Sequence, residues 1–236
     1  MAPGRAVGGQ RPPTLSDPVR VTLQKRAAAE AAAEMVRDDM RLGLGTGTTV
    51  AELLPALAER GRRGLRCVAT SPVTANAARA LGLSVEDPDD VGELDLAIDG
   101  ADQIDPAGWL IKGGGGAHTR EKIVAWSARR FVVIASAEKA VQRLRPPVPL
   151  ELVAFGVQDT LAALGQARLR DAAPSPDGGL IADYVGEIDD VGELDARLST
   201  TPGVVEHGLF APSMVSTILI AGEGGVEQRA GAKASR

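Results

Sequence analysis

Short apolar runs separated by longer amphipathic segments set the rhythm of this chain. "RLGLG" (41–45), "LRCVAT" (65–70), "LDLAID" (94–99) and "FVVIAS" (131–136) are too short for helices and nearly continuous in apolar side chains. That pattern predicts strands buried on both faces. The segments between them read as helices. One starts at Ser16-Asp17-Pro18, a capping residue with proline at the first helical position, and runs through alanines to Met35. A second starts near Thr48, and Pro55 is expected to kink or shorten it; a third lies in "SPVTANAARALG" after the second strand. Alternating β and α predicts an α/β, Rossmann-like domain with a mostly parallel sheet, whose ligands would sit at the carboxyl ends of the strands.

Past Pro146-Pro147 the texture changes. Strand "PLELVAF", helix 156–165, strand "ARLRDA", a turn at "SPDGG", strand "LIADYVGE", helix 190–200 and strand "VVEHGLF" follow in order. This β-α-β-β-α-β series predicts a smaller ferredoxin-like α+β domain. A last apolar run, "STILIAG" (216–222), should return to the main sheet. The expected organisation is a disordered tail over 1–18, an α/β domain over 19–147 plus 211–227, a small domain over 148–210, and a second tail over 228–236. "DDVGELD" occurs twice, at 89–95 and 189–195, but its flanks differ and no period continues.

Charge and composition narrow the partners. A net charge of -5 over 236 residues, without long like-charge runs, supplies no footprint for nucleic acid and no polybasic face for lipid. Small-molecule partners are expected, with no nucleic acid and no membrane. The single cysteine, Cys67, lies in an apolar run and reads as a buried strand residue. Cysteine usage points to a reducing cytoplasm. No window approaches the roughly 18 apolar residues of a membrane span, and the amino-terminal stretch lacks the apolar segment of a secretory signal.

Three stretches could carry chemistry. In "GLGTGTTV" (43–50), Thr46, Gly47, Thr48 and Thr49 stand between a strand and a helix, where backbone N–H groups and the helix dipole suit a phosphate. The stretch is neither a full dinucleotide fingerprint nor a Walker A loop, and a capped turn would read the same way. In "DLAIDGADQID" (95–105), Asp99 and Asp102 follow a buried strand, with Gly100 and Ala101 between them; a cleft or a solvated turn would fit. In "LIKGGGGAHTREKIV" (110–124), Lys112 precedes four glycines and Glu121 falls in the first turn of a helix. A carboxylate there suits the helix dipole without any function. The glycines beside a lysine ask for more, since main-chain N–H groups approaching an oxyanion need a bare backbone. His118 reads as a solvated loop histidine and His207 as a strand residue without chemistry. A phosphate cradle, two aspartates, a lysine and a glutamate, with no Cys/His set for zinc, suit metal-free proton transfer on a sugar phosphate.

These motifs resemble the ribose-5-phosphate isomerase type A family. The resemblance rests on "GTGTT", "SPVT", "DGADQID" against the family's DGADE pattern, "KGGGGAHTREKIVA", "SAEK", "PVPLEL" and "TPGVVEHGLF", and spans roughly residues 19–225. It implies interconversion of ribose 5-phosphate and ribulose 5-phosphate in the pentose phosphate pathway, with no metal and no cofactor, by a homodimer or homotetramer. It would make Glu121 the base that moves a proton between C2 and C1. Lys112 and the amides of Gly113, Gly114 and Gly115 would stabilise the enediolate. Asp99 and Asp102 would meet the sugar hydroxyls, with Asp99 serving ring opening, and Gly100 and Ala101 would line the substrate. Thr46 to Thr49 would bind the phosphate, and Lys139 and Lys25 would add positive charge. Gln103 replaces the usual acidic residue, and His118 stands where an apolar residue is commoner. A sugar-phosphate sensor or a related sugar-phosphate enzyme of the same fold group is the competing expectation.

Overall fold

The computed structural model describes residues 17–233. Its elements begin with α1 (Asp17–Ala33), β1 (Arg41–Leu44), α2 (Thr48–Glu59), β2 (Arg66–Ala69), α3 (Pro72–Ala80), β3 (Ser84–Val85), the single turn α4 (Pro88–Val91) and β4 (Leu94–Gly100). Next are β5 (Gln103–Ile104), β6 (Leu110–Ile111), α5 (His118–Ser127) and β7 (Ala128–Ser136). Then come β8 (Val148–Leu152), α6 (Val157–Leu164), β9 (Ala167–Leu169), β10 (Leu180–Tyr184), α7 (Val191–Thr200) and β11 (Val204–His207). The chain closes with β12 (Leu209–Phe210), β13 (Thr217–Gly222) and β14 (Gly225–Ala230).

The main sheet has the order β14-β13-β7-β4-β1-β2-β3 and is parallel except for β14. Its pleat explains the continuous apolar runs. On β7, Val132 and Ile134 join the core beneath α1 and α2, while Phe131, Val133 and Ala135 join the core beneath α5. Both faces are therefore covered, as the run of apolar residues requires. α2 buries Val50, Leu53, Leu54 and Leu57, a spacing of three and four that makes one stripe. Those anchors flank Pro55, so the helix continues past it to Glu59 instead of ending there.

The second unit is antiparallel, in the order β11-β8-β10-β9, with Leu150, Leu152, Leu164, Leu194 and Leu198 in its core. The run "VVEHGLF" is not one strand. It divides at Gly208: β11 stays in the small sheet, while β12 pairs with β6 in a separate three-stranded sheet of order β12-β6-β5. Gly208 donates to the Pro149 carbonyl at 2.7 Å and accepts from the Lys112 N–H at 2.9 Å. A Cβ there would sit 2.2 Å from the Lys112 carbonyl oxygen, so the crossing between sheets requires glycine.

The carboxyl-terminal stretch also departs from expectation. Residues 228–230 belong to β14, paired with β13 through Thr217 and Ala230, and Lys233 donates to the Ala125 and Ala128 carbonyls at 2.8 and 2.6 Å. A lysine satisfying carbonyls at the end of α5 is a favourable pairing with the helix dipole. At the other end, Asp17 and Pro18, expected within the tail, belong to α1. The expected cap Ser16, the rest of that tail and residues 234–236 lie outside the described residues. Among the described residues, no helix is long and apolar enough to cross a membrane.

Candidate active site

Three loops, two of them at the ends of main-sheet strands, meet around a cleft of about 120 Å³. It is lined by Thr46, Gly47, Thr48 and Thr49 after β1, by Gly100, Ala101 and Asp102 after β4, by Lys112 to Gly115 after β6, and by Glu121 and Lys139. Thirteen of the fifteen residues singled out in the sequence thus face one space. Asp99 and Lys25 do not line it. Asp99 is buried beneath the floor, and Lys25, on α1, donates to Thr48 Oγ1 at 2.9 Å.

The first loop is pinned so that its donors face outward. The Thr46 N–H donates to Asp99 Oδ1 at 3.1 Å, its hydroxyl pairs with Thr70 at 2.7 Å, and Thr74 Oγ1 donates to the Gly45 carbonyl at 2.9 Å. The "SPVT" motif therefore serves twice: Ser71 caps α3, and Thr74 ties that cap to the loop. Thr48 and Thr49 occupy the first turn of α2, where no side chain caps the helix. The free N–H groups there form a built-in anion site.

Beneath the cleft lies a buried charge triad. Lys112 Nζ sits 2.9 Å from Asp99 Oδ2 and 3.0 Å from Glu121 Oε2, and donates to the Gly100 carbonyl at 2.6 Å. All three side chains are no more than 6 % exposed. Asp99 Oδ1 also accepts from Thr46 and from the Gly100 N–H at 2.7 Å. Glu121 is less well held, because its Oε2 faces the ammonium but receives no hydrogen bond of good direction. One cation between two carboxylates leaves an excess negative charge. Burial, and then Asp99, push the Glu121 carboxyl up to about 7, with Lys112 pulling the other way. Burial likewise raises Asp99 against the pull of Lys112. Burial alone would depress the lysine, but the two carboxylates outweigh it and hold the ammonium above its ordinary value.

The glycine run is not uniform. Gly113 and Gly116 adopt φ of +95° and +74°, a region side chains rarely enter. The Gly114 N–H donates to Asp102 Oδ2 at 2.8 Å, and at Gly115 an added Cβ would meet nothing within 4 Å. The loop is held from outside by a residue the sequence did not flag. Arg170 Nη1 donates to the Gly113 and Gly114 carbonyls at 3.3 and 3.0 Å. A lone arginine just after a short strand carries no motif, so no sequence signal pointed to it.

His118 corrects the sequence expectation most clearly. It is fully buried, not solvated, and a Cβ on Gly113 would come within 2.7 Å of its side chain. Neither ring nitrogen has a hydrogen-bond partner of good geometry, and burial pulls its pKa down to about 4. It is a neutral packing group that does not line the cleft. His207 is buried too. Its Nδ1 accepts from the Leu209 N–H at 3.3 Å, which assigns the proton to Nε2 facing Ser199 at 2.9 Å. Cys67 is buried, with its thiol pushed up to about 12. Among the described residues no group of three His, Cys, Asp or Glu side chains could hold a metal ion.

Comparison with known proteins gives the same direction from an independent source. A family model for ribose 5-phosphate isomerase A (phosphoriboisomerase A) matches residues 66–225. Ribose-5-phosphate isomerase A of Methylorubrum extorquens is 46 % identical over 219 residues, covering 85 % of this chain and 93 % of the relative. The crystal structure of ribose 5 phosphate isomerase A from Neisseria gonorrhoeae superimposes with a TM-score of 0.83 at 34 % identity, over 89 % of this chain and 98 % of the other. A D-ribose-5-phosphate isomerase in complex with phospho-erythronic acid superimposes with a TM-score of 0.84 at 33 % identity, over 89 % and 99 %.

Proposed function

The chain belongs to the ribose 5-phosphate isomerase A family, and on that premise we propose that it is an aldose-ketose isomerase interconverting D-ribose 5-phosphate and D-ribulose 5-phosphate. The observation that carries the assignment of roles is Glu121, a buried carboxylate raised to about 7, set against Lys112 at the edge of a donor-rich cleft. A base poised near neutral pH is matched to removing a proton alpha to a carbonyl.

In this reading the phosphate rests on Thr46 to Thr49 at the start of α2, with Lys139 across the cleft and Lys25 steadying Thr48. Asp102, on the cleft wall, takes sugar hydroxyls beside Gly100 and Ala101. Asp99, just beneath them and raised by burial, is the group assigned to opening the ring. Glu121 takes the proton from C2 of the open aldose, and the electron pair passes to O1 as the enediolate forms. Returning that proton to C1, with the O2 hydroxyl proton moving to O1, gives the ketose. Lys112 and the glycine loop from Gly113 to Gly115, whose Gly114 N–H holds Asp102, line the place assigned to the oxyanion, so positive charge comes from the protein. A histidine-centred deaminase or lactonase chemistry is disfavoured, because His118 does not reach the cleft. A sensor needs no poised base. A homodimer or homotetramer working in the cytoplasm completes the reading, supported by the resemblance to the family, and analytical ultracentrifugation tests the assembly.

A coupled assay of ribulose 5-phosphate formation tests the function. The wild-type chain is expected to turn over and to keep its activity under a strong chelator. Glu121→Gln is expected to lose about 10³-fold or more in kcat while still binding the phosphosugar, in line with the ~10²–10⁴-fold worth of a positioned acid-base group plus the lost charge. Near-normal turnover by that variant would reassign the base, and loss of activity to the chelator would sink the metal-free route.

A further inference from the structure

We propose that Arg170, on the small unit, is a positioning residue for this isomerisation: it grips the glycine loop from behind, turning the Gly114 N–H to Asp102 and the Gly115 N–H toward the substrate. The inference rests on the functional reading above.

Across a trans peptide, a carbonyl and the N–H of the next residue point in opposite directions. Fixing the Gly113 carbonyl therefore aims the Gly114 N–H, and fixing the Gly114 carbonyl aims the Gly115 N–H. Arg170 Nη1 holds both carbonyls, at 3.3 and 3.0 Å. On the opposite side, the Gly114 N–H meets Asp102 Oδ2, and Gly115 lines the cleft. Four successive glycines bring no side chain with which to hold themselves, and glycine has the most freedom to lose. Within the loop the Gly116 N–H donates to the Gly113 carbonyl at 3.0 Å, and Arg170 adds the grip that also reaches the Gly114 carbonyl.

The grip is itself rigid. Arg170 Nε donates to Asp183 Oδ2 at 2.9 Å and Nη2 to Asp183 Oδ1 at 2.6 Å, a bidentate pairing across the β9–β10 edge. The Arg170 N–H donates to the Ile181 carbonyl at 2.8 Å. With Nε and Nη2 committed, Nη1 is the part of the guanidinium that faces the loop. A fixed cation on two carbonyls also polarises those peptide groups, which makes their N–H ends stronger donors where negative charge develops. Arg170 does not line the cleft, so its influence passes through the loop. The same unit holds the start of α5, through the Arg120–Asp177 pair at 2.7 Å and a Thr119 hydroxyl that donates to Glu151. Both walls that meet at Glu121 are thus braced by one unit.

The test is the double variant Arg170→Met with Asp183→Leu, which removes the pair without leaving a buried charge alone. In the coupled assay kcat should fall tenfold or more while KM changes less than threefold. Titration with phospho-erythronic acid should show affinity reduced by at least fivefold, whereas inorganic phosphate, held at Thr46 to Thr49, should bind as in the wild type. If the double variant does not fold, Arg170→Gln is read in the same two assays with the same expectations. A folded variant with kcat within twofold of wild type and unchanged phospho-erythronic acid affinity would overturn the proposal. Failure of the wild-type chain to isomerise would strike the functional reading alone, and the phospho-erythronic acid titration would still decide the role of Arg170.

Discussion

Two buried lysines face the same aromatic ring and differ in nearly everything else. Lys112 Nζ lies 5.4 Å from the centroid of Phe210, and Lys122 Nζ lies 5.0 Å from it. Lys122 pairs with Glu206 at 2.6 Å and donates to the His207 carbonyl at 2.7 Å, which stitches α5 to β11. Burial is the larger influence there and lowers its pKa, with Glu206 resisting. Lys112 suffers deeper burial, yet its two carboxylates raise it. The difference lies in direct contact: Asp99 and Glu121 both lie within 3.0 Å of Lys112, whereas of the two carboxylates that act on Lys122 only Glu206 pairs with it and Asp195 acts from farther away. With one carboxylate in contact, Lys122 makes a pair that serves the fold. With two in contact, a surplus charge remains, and burial together with that surplus raises Glu121 to about 7. The catalytic potential lies in the imbalance, not in the presence of a buried lysine.

The largest break of this comparison comes from removing each lysine in turn. Lys112→Met should lower kcat by about 10²–10³-fold, the scale of a lost oxyanion donor, because Asp99 and Glu121 would then face each other without a cation. Lys122→Met should leave kcat within about threefold. Both variants should lose stability in urea melts, since breaking a buried pair costs about 3–5 kcal/mol. Equal kinetic losses in the two variants would erase the distinction.

The pH dependence sharpens the comparison. Glu121 must be ionised to act as a base, so kcat/KM should rise with pH through about 7 and then level. The sign for stability is opposite. A carboxyl whose folded pKa lies above its ordinary 4.5 stabilises the fold most below that value, and loses the contribution as pH rises through about 7. Denaturant melts of Glu121→Gln against wild type should therefore move in the variant's favour between pH 4.5 and 7.

The smallest expected effect belongs to His118. Its pKa is depressed from 6.5 to about 4, so its neutral form supports the fold above 6.5 and that support is lost as pH falls through about 4. His118→Leu should keep turnover within about threefold and weaken the acid destabilisation in that window. A loss of turnover beyond tenfold with the fold intact would give the histidine a chemical role that the buried, cleft-averted ring does not support.

How far the sequence carried the account depended on the scale of each feature. Runs such as "FVVIAS" were legible because burial on both faces writes itself into consecutive residues. The two-residue strands β5, β6 and β12 were not, since no period fits in two positions. The last three residues of β14 looked like the start of a tail because "GVEQRA" is an exposed edge strand with charges that need no core. The glycine loop announced itself by composition. Its external support did not: Arg170 reaches the loop from another unit, and such contacts have no local signature. Lys25 was expected to add positive charge, and its ammonium donates to Thr48 Oγ1 at 2.9 Å, a contact between two helices that no local pattern encodes. His118 was misjudged because its burial depends on Gly113 folding back against it, which the neighbouring residues do not encode.

The most direct measurement is solvent isotope incorporation. Ribose 5-phosphate incubated with the wild-type chain in deuterium oxide should yield ribulose 5-phosphate carrying deuterium at C1, because the proton taken from C2 resides on Glu121 and exchanges there. With Glu121→Gln the label should fall to the level of the uncatalysed reaction while phospho-erythronic acid still binds. Label appearing at C1 at a near wild-type rate in that variant would contradict the account.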